Sequence, residues 1–393
     1  MINKKVIVAG HTCLDMTPDL SSIPEGQFKV LLEPGSMIHA RGFTISPGGA
    51  VPNTGLSLHK LGVPVRLIGK LGIDLFGQAI QDLISDEDPR LICDLIDDPS
   101  VSTSFTIIFN PPGFDRTFIH SHGANDTFYA SDLPRETLQT ADLFHFGYPP
   151  LMRSIYRGEG GELVSILQRA RRAGLTTSLD CSLPDATSSA GQQDWPNILA
   201  NNLPFVDLFL PSVEELLFLL QPETYNKICA DDRTSFLAAV TPDLLHELSE
   251  TVLAYGVKVV LIKVAHRGIY LRSGEPAVWE KGGRGLLDLG TDWHNREMWA
   301  PAFDVDVQGT CGAGDAAIAG FLAGLLRGAT PETALVMASA TGACSVERTD
   351  VVSGITGWED LLSRVTMGWG TLPLDLSKYG WQKDAIYDLW HAE

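Results

Sequence analysis

The sequence predicts an α/β fold: a three-layer αβα sandwich with a mostly parallel central sheet and a smaller second sheet at one edge. Three observations carry this reading. Short apolar runs alternate with amphipathic stretches along most of the chain. Two groups of strand-like residues interrupt that alternation without intervening helices. A glycine-rich turn opens a long run of small and apolar residues from Gly312 onward. Alternation of this kind means parallel strands joined by helical crossovers, with helices on both faces.

The predicted core strands are Lys5–Ala9, Val65–Lys70, Leu143–Phe146, Thr176–Asp180, Leu208–Leu210 and Lys258–Lys263. Between them the apolar spacing predicts helices over Val51–Leu61, Phe76–Ile84, Glu162–Ala173, Ser212–Leu220 and Pro242–Tyr255. The interruptions are Phe28–Ser46 and Ser104–His120. The second reads as a hairpin, Ser104–Asn110 and Arg116–His120, turned by Pro111-Pro112-Gly113. These pieces form either surface loops or a small sheet, with segments at approximately 14–46 and 101–122. The stretch 273–301, rich in Gly and Trp, reads as an irregular insertion. The tail 368–393 carries Trp369, Trp381 and Trp390 and is expected to dock on the body or on a second subunit. The whole of 1–393 is read as one domain.

Composition narrows the function. The apolar fraction of 44% over 393 residues allows a sizeable core. No apolar run approaches the length of a membrane span, and Val6–Ala9 is too short for a signal-peptide core. The net charge is −19, from 29 basic and 48 acidic side chains. Such a surface argues against nucleic-acid binding, which needs a positive footprint. Six scattered cysteines without a CxxC pair read as reduced thiols of a cytoplasmic protein.

The chemistry centres on Gly309-Thr310-Cys311-Gly312-Ala313-Gly314-Asp315. Gly312-Ala313-Gly314 should form the first turn of a buried helix. Its free amides and the helix dipole there favour an anion, and small residues let that anion approach. Asp315 is either a carboxylate facing the anion or a residue that only stabilises the dipole. Neither a Walker loop nor a dinucleotide fingerprint is present. A second element, Ser46-Pro47-Gly48-Gly49-Ala50-Val51-Pro52-Asn53, precedes a helix and then Gly72-Ile73-Asp74-Leu75-Phe76-Gly77. Its glycine pair permits close backbone approach, and Asn53 offers a donor and an acceptor.

Together these elements resemble the ribokinase-like, or PfkB, family of carbohydrate kinases, in family order and spacing from about Val6 to Trp358. The resemblance implies a ribokinase-like fold with a small β lid over the substrate. It implies ATP as phosphoryl donor, Mg²⁺ as cofactor and a sugar or sugar-like acceptor, as in fructokinases and ribokinases. By position, Asp315 matches the catalytic base, and Gly312, Ala313 and Gly314 match the anion hole. Asp15, Gly49, Asn53, Asn125 and Tyr148 match substrate-side positions. Lys263, Ala265, Gly268 and Thr310 border the nucleotide. Glu215 matches the glutamate of an NxxE element that acts indirectly on the metal. Some lid sheets in such kinases pair between subunits, so a homodimer through the lid stays open.

The chain departs from the family pattern at several points. Ser212 replaces the NxxE asparagine, and Ala265 replaces a glycine. Cys13 and Tyr148 stand where ribokinase proper has asparagine and glutamate, which disfavours ribose. Ala50 stands where members acting on sugar phosphates often carry lysine, so a free sugar or polyol is expected. Gly309 replaces an aspartate that helps bind an activating potassium ion, and Asp306, expected on a strand, should not replace it. His120, His122 and His145 are expected to gather near the lid as packing or sugar-contact residues. A nucleoside kinase and a non-catalytic sugar sensor are the rival readings. Base-stacking by Phe105, Phe114 and Phe118 would mark the first.

Overall fold

The computed structural model describes residues 4–24, 33–113, 116–231, 233–384 and 386–392. Apolar runs such as VIVAG and LFHFG are buried along their whole length at Val6–Gly10 and Leu143–Gly147. Strands covered on both faces read this way. They lie side by side in a ten-stranded sheet, second and third from one edge. From one edge inward the order is Val65–Ile68, Val6–Gly10, Leu143–Gly147, Thr176–Leu179, Leu208–Phe209 and Val259–Lys263, all parallel. Ile269–Ser273, Glu297–Ala300, Leu389–His391 and Gln382–Asp384 extend it in antiparallel fashion.

Each face of the sheet carries its own apolar core. One packs Phe144, Phe146, Phe209 and Tyr270 against helices that include Gly161–Arg172 and Pro242–Leu253. The other packs Val6, Val8, Leu261 and Leu271 against Ala313–Leu326 and Pro331–Val346. This is the predicted α/β three-layer arrangement. Among the described residues, no helix is long and apolar enough to cross a membrane.

Some boundaries differ from the sequence reading. The predicted strand Val65–Lys70 breaks at Gly69, and Lys70–Gly72 pairs separately with Ile96–Asp98. The cause is Lys70, whose buried ammonium meets Asp132 at 2.7 Å and Thr127 O at 2.5 Å. The stretch 273–301 is irregular only in part, because its last residues form the strand Glu297–Ala300. The tail docks on the body: Leu389–His391 pairs with Glu297–Ala300, and Trp381 packs on Tyr270 and Trp299.

The second sheet exists. Phe43–Gly48, Cys13–Pro18, Phe105–Phe109 and Thr117–Ser121 are its four strands, in that order. Phe105–Phe109 and Thr117–Ser121 form the expected hairpin, with Phe105 opposite Ser121. Asp74 anchors its base. That carboxylate caps helix Leu75–Glu87 through Gly77 N–H at 2.8 Å and also accepts Thr103 N–H at 2.8 Å. Phe28 and Phe114 lie outside the described residues.

Candidate active site

The parallel strands end along one edge, and side chains with chemistry gather there, as open α/β sheets favour. The first turn of helix Ala313–Leu326 meets this edge. Gly312 caps the helix at φ 68° and ψ 0°, a left-handed conformation suited to glycine. A Cβ on Gly312 would also stand 2.4 Å from the methyls of Val351. With Gly312 and Gly314 bare, the partnerless first amides of the helix are open to an anion.

Asp315 follows in the same turn and is buried, at 1% exposure. Its carboxylate accepts three hydrogen bonds from other elements. Tyr148 Oη donates to Oδ2 at 2.7 Å, Asn53 Nδ2 to Oδ2 at 3.0 Å, and Thr54 Oγ1 to Oδ1 at 3.3 Å. Burial pushes the Asp315 carboxyl above its ordinary value, against the pull of Tyr148, Lys263, Asn53 and Thr54. Tyr148 holds its position with a left-handed backbone at φ 63°. Such strain in a non-glycine residue persists only where its surroundings impose it. Asn53 keeps its buried Oδ1 without a protein partner.

The glycine pair before Asn53 accommodates the chain's own side chains. A Cβ on Gly48 would fall 2.2 Å from Asp15 Oδ2, and one on Gly49 would fall 2.5 Å from His11 Nδ1. Gly49 therefore makes room for His11, and the close approach expected of a ligand is taken by these two residues. Asp15 accepts from Cys13 Sγ at 3.2 Å. Burial raises its carboxyl from 3.8 to about 6, against hydrogen bonds from Cys13 and Thr106. Thr106 also meets His120 Nδ1 at 3.0 Å, and His120 Nε2 meets His11 Nε2 at 3.4 Å. His122 closes edge-on against His120. His145 does not join them. It is buried within the sheet, where Ser178 Oγ is 2.9 Å from Nδ1, because alternate residues of Leu143–Gly147 face opposite ways.

Asn125 stands near this cluster, but its amide is engaged by the backbone of Thr12. Its Oδ1 accepts Thr12 N–H at 3.1 Å, and its Nδ2 donates to Thr12 O at 2.9 Å.

On the other side of Asp315 is Lys263, at the end of Val259–Lys263. Its Nζ is 2.7 Å from Asp180 Oδ1. The same ammonium lies about the turn, 3.5 Å from where a Gly314 Cβ would sit. Burial works to lower this ammonium, but Asp180 and Glu215 outweigh it and raise it above its ordinary value. Glu215 takes part in a capping box: its Oε2 accepts Ser212 N–H at 2.7 Å, and Ser212 Oγ accepts Glu215 N–H at 3.3 Å. So Ser212 does the local work of a helix cap in place of the asparagine. Beyond Lys263, the chain turns through Ala265 at φ 48° and Gly268 at φ 94°. Ala265 thus adopts a left-handed conformation of the kind that suits glycine. Thr310 is exposed before the turn, and Asp306 lies in irregular chain, not on a strand.

The sequence reading missed Asp180, Thr54 and His11 as site residues. A carboxylate at the C-terminal end of a predicted parallel strand was an available signal for Asp180. Thr54 is the neighbour of Asn53, and His11 follows the first strand directly.

With this geometry, residues 3–356 match the description "pfkB family carbohydrate kinase". The chain belongs to that family. As a PfkB kinase it is a phosphotransferase with an alcohol group as acceptor. A sugar kinase of Archaeoglobus fulgidus, itself uncharacterized, is 24% identical over 283 residues, which is 70% of this chain and 87% of that protein. Fructokinase-2 of Zea mays is 21% identical over 327 residues, 83% of this chain and 81% of that one. Among solved structures, the ribokinase of Arabidopsis thaliana complexed with ribose and ATP superposes with a TM-score of 0.66 at 18% identity. That match covers 92% of this chain and 98% of the other. These PfkB relatives support sugar kinase activity, and the structural neighbours share the fold.

Proposed function

We propose that this PfkB kinase transfers the γ-phosphoryl group of ATP to a hydroxyl of an unphosphorylated sugar or polyol, within one kinase domain closed by the small sheet as a lid. The observation that carries this is Asp315: a buried carboxylate in an open helix-terminal turn, oriented by Tyr148, Asn53 and Thr54. In this reading Asp315 accepts the proton of the acceptor hydroxyl. The amides of Gly312, Ala313 and Gly314 hold the transferring group where charge develops. Asp15 and the unpaired Asn53 Oδ1 accept from other hydroxyls of the sugar, with Gly49 making room for the wall that His11 forms. Asn125 acts indirectly, by fixing the Thr12 backbone. Lys263, Ala265, Gly268 and Thr310 border the nucleotide. The ATP bound in the Arabidopsis ribokinase structure supports the donor.

Among the described residues, no group of three His, Cys, Asp or Glu side chains is arranged to hold a metal ion. Mg²⁺ therefore fits as an ion carried on the phosphates and water, with Glu215 near, rather than in a protein cage. When bound it would neutralise negative charge on the phosphates.

A sugar is favoured over a nucleoside. Phe105 packs on Phe76 with ring centroids 5.5 Å apart, and Phe118 is 51% exposed; neither offers an enclosed stacking face. The test is ATP consumption over a panel of free sugars, polyols, sugar phosphates and nucleosides, with Asp315→Asn beside the wild type. The variant should bind nucleotide normally and lose roughly 10²–10⁴-fold in turnover, the usual worth of a positioned base. Near-normal turnover by the variant would remove Asp315 from the mechanism. A sugar phosphate or nucleoside used far better than every free sugar would change the acceptor.

A further inference from the structure

The function proposed above sets two turns beside the nucleotide, Ala265–Gly268 and Thr310–Gly314. One stretch of chain joins them. It leaves strand Glu297–Ala300 directly against the first turn: a Cβ on Gly268 would collide with Ala300 O and stand 2.8 Å from Ala302 N. It reaches the second turn where Gln308 N–H and Gly309 N–H donate to Val346 O at 2.8 Å and 3.3 Å. Residues 301–307 in between lie outside every helix and strand.

The tail holds that stretch from outside. Leu372 N–H donates to Ala302 O at 2.8 Å, Asp304 N–H to Gly370 O at 2.9 Å, and Trp369 Nε1 to Asp304 O at 3.2 Å. Phe303 and Thr371 form an antiparallel bridge, and the rings of Phe303 and Trp369 lie 4.4 Å apart. Helix Pro331–Val346 adds Ser339 Oγ, which donates to Pro301 O at 2.8 Å. Trp369 has a second attachment. The Arg364 guanidinium lies 3.4 Å from its ring centre and donates to both carboxylate oxygens of Glu347 at 2.7 Å. Glu347 ends helix Pro331–Val346, next to the Val346 carbonyl that holds Gln308 and Gly309. One indole therefore ties the middle of the stretch to the helix end that holds its far end. The family match stops at residue 356, so Arg364 and Trp369 act from outside it.

We propose that Trp369 is a positioning residue for the nucleotide. With the tail segment 369–372 it fixes residues 301–309, and through them the spacing of the two turns that ATP must meet together. This rests on the function proposed above. The acceptor side is held by other elements: Tyr148, Asn53 and Thr54 orient Asp315, and Asp15 lies on the small sheet. Loosening the tail should therefore weaken ATP binding and leave the acceptor and the base in place. The coupling is reciprocal: where tail docking favours the nucleotide, the nucleotide favours tail docking by the same factor.

The experiment uses the full chain. Trp369 is half-buried at the margin of one core, so its truncation leaves the centre of the fold in place. Trp369→Ala should raise KM for ATP, and Kd for a non-hydrolysable ATP analogue, by about tenfold, within the range of coupled sites. KM for the best acceptor of the panel and kcat should each change less than about threefold, the pattern of lost ground-state binding. Trp369→Phe keeps a ring against Phe303 and Arg364 and should recover most of the affinity. In the wild type, the analogue should slow hydrogen exchange at the Asp304 and Leu372 amides at least about fivefold, a readout that needs no variant. A KM for ATP in Trp369→Ala within about threefold of wild type overturns the proposal. So does a fall in kcat at unchanged KM, the mark of fewer folded molecules, or exchange at both amides that the analogue leaves unchanged. Should Trp369→Ala fail to fold, the exchange measurement decides alone. A wild type that binds no ATP analogue would instead overturn the underlying function.

Discussion

Asp15→Asn should make the protein more stable at neutral pH and a worse enzyme. The Asp15 carboxyl sits on the small sheet with Cys13 and Thr106, and burial, which disfavours its charge, raises it from an ordinary 3.8 to about 6. A displacement of that size corresponds to about 3 kcal/mol of preference for the neutral form. The sign follows from linkage. The folded state holds the proton at higher pH than the unfolded chain does. Wild-type stability therefore gains from this group as pH falls through about 6, the gain being complete below 3.8. Above about pH 7 the full penalty is present. Asparagine carries no charge at any pH, so the variant avoids the penalty while its amide oxygen can still accept from Cys13. Urea denaturation of the two proteins at pH 7.5 and pH 4 is the assay. The variant should be more stable by up to about 3 kcal/mol at pH 7.5, and the difference should shrink toward zero at pH 4. In parallel, its KM for the acceptor should rise at least about tenfold, the loss of one charge-assisted hydrogen bond. A variant less stable than wild type at pH 7.5, or a difference that grows on acidification, would refute the reasoning.

Ala265→Gly should raise stability by about 1 kcal/mol, because φ is 48° there and an L side chain is strained in that region; a lower urea midpoint would count against it. Tyr148→Phe removes the 2.7 Å hydrogen bond to Asp315, a charge-assisted contact worth about 1.5–3 kcal/mol. The ionised base is then less favoured, so the acid limb of kcat/KM should move to higher pH. A limb that stays or moves to lower pH would exclude that role for Tyr148. With Gly309 in place of an anionic ligand, replacing potassium by a large organic cation at equal ionic strength should change turnover less than tenfold, or about 1.4 kcal/mol of barrier; a larger change would show that carbonyls suffice for the site.

The sheet was legible because its central strands are continuous apolar runs, and a strand buried on both faces leaves that mark. The lid was legible as strand-like residues without helical spacing, and its hairpin as a Pro-Pro-Gly turn. The edge strands were not. Gln382–Asp384 and Leu389–His391 are three residues each, too short for a period to declare itself. Leu389–His391 pairs with the edge of Glu297–Ala300, and Gln382–Asp384 pairs in turn with Leu389–His391. Length also hid the break at Gly69, which a buried Lys70 imposes through partners at Asp132 and Thr127.

The site was legible where a local motif carries the chemistry and obscure where tertiary partners do. Gly312 through Asp315 announce an open helix-terminal turn through backbone geometry alone, which neighbouring residues can specify. The glycine pair Gly48-Gly49 was legible as a place of close approach, but not what approaches. That depends on Asp15 and His11, which reach it from another strand and from the loop after the first.

Asp180 shows the limit most clearly. In the sequence it reads as the last residue of a strand, and Lys263 reads as the last residue of another, 83 positions away. Neither is informative alone, since a terminal charge on a strand is ordinarily solvated. The parallel order of the sheet sets only Leu208–Phe209 between their strands, so both side chains emerge at the same edge. There the first turn of Ala313–Leu326 covers them, and burial makes the pair obligatory: a lone ammonium beside Gly314 would be costly without a carboxylate at 2.7 Å. The ion pair is therefore a consequence of sheet order and helix position. The turn at Gly312–Gly314 has a buried cation at its back for the same reason that Asp180 escaped notice.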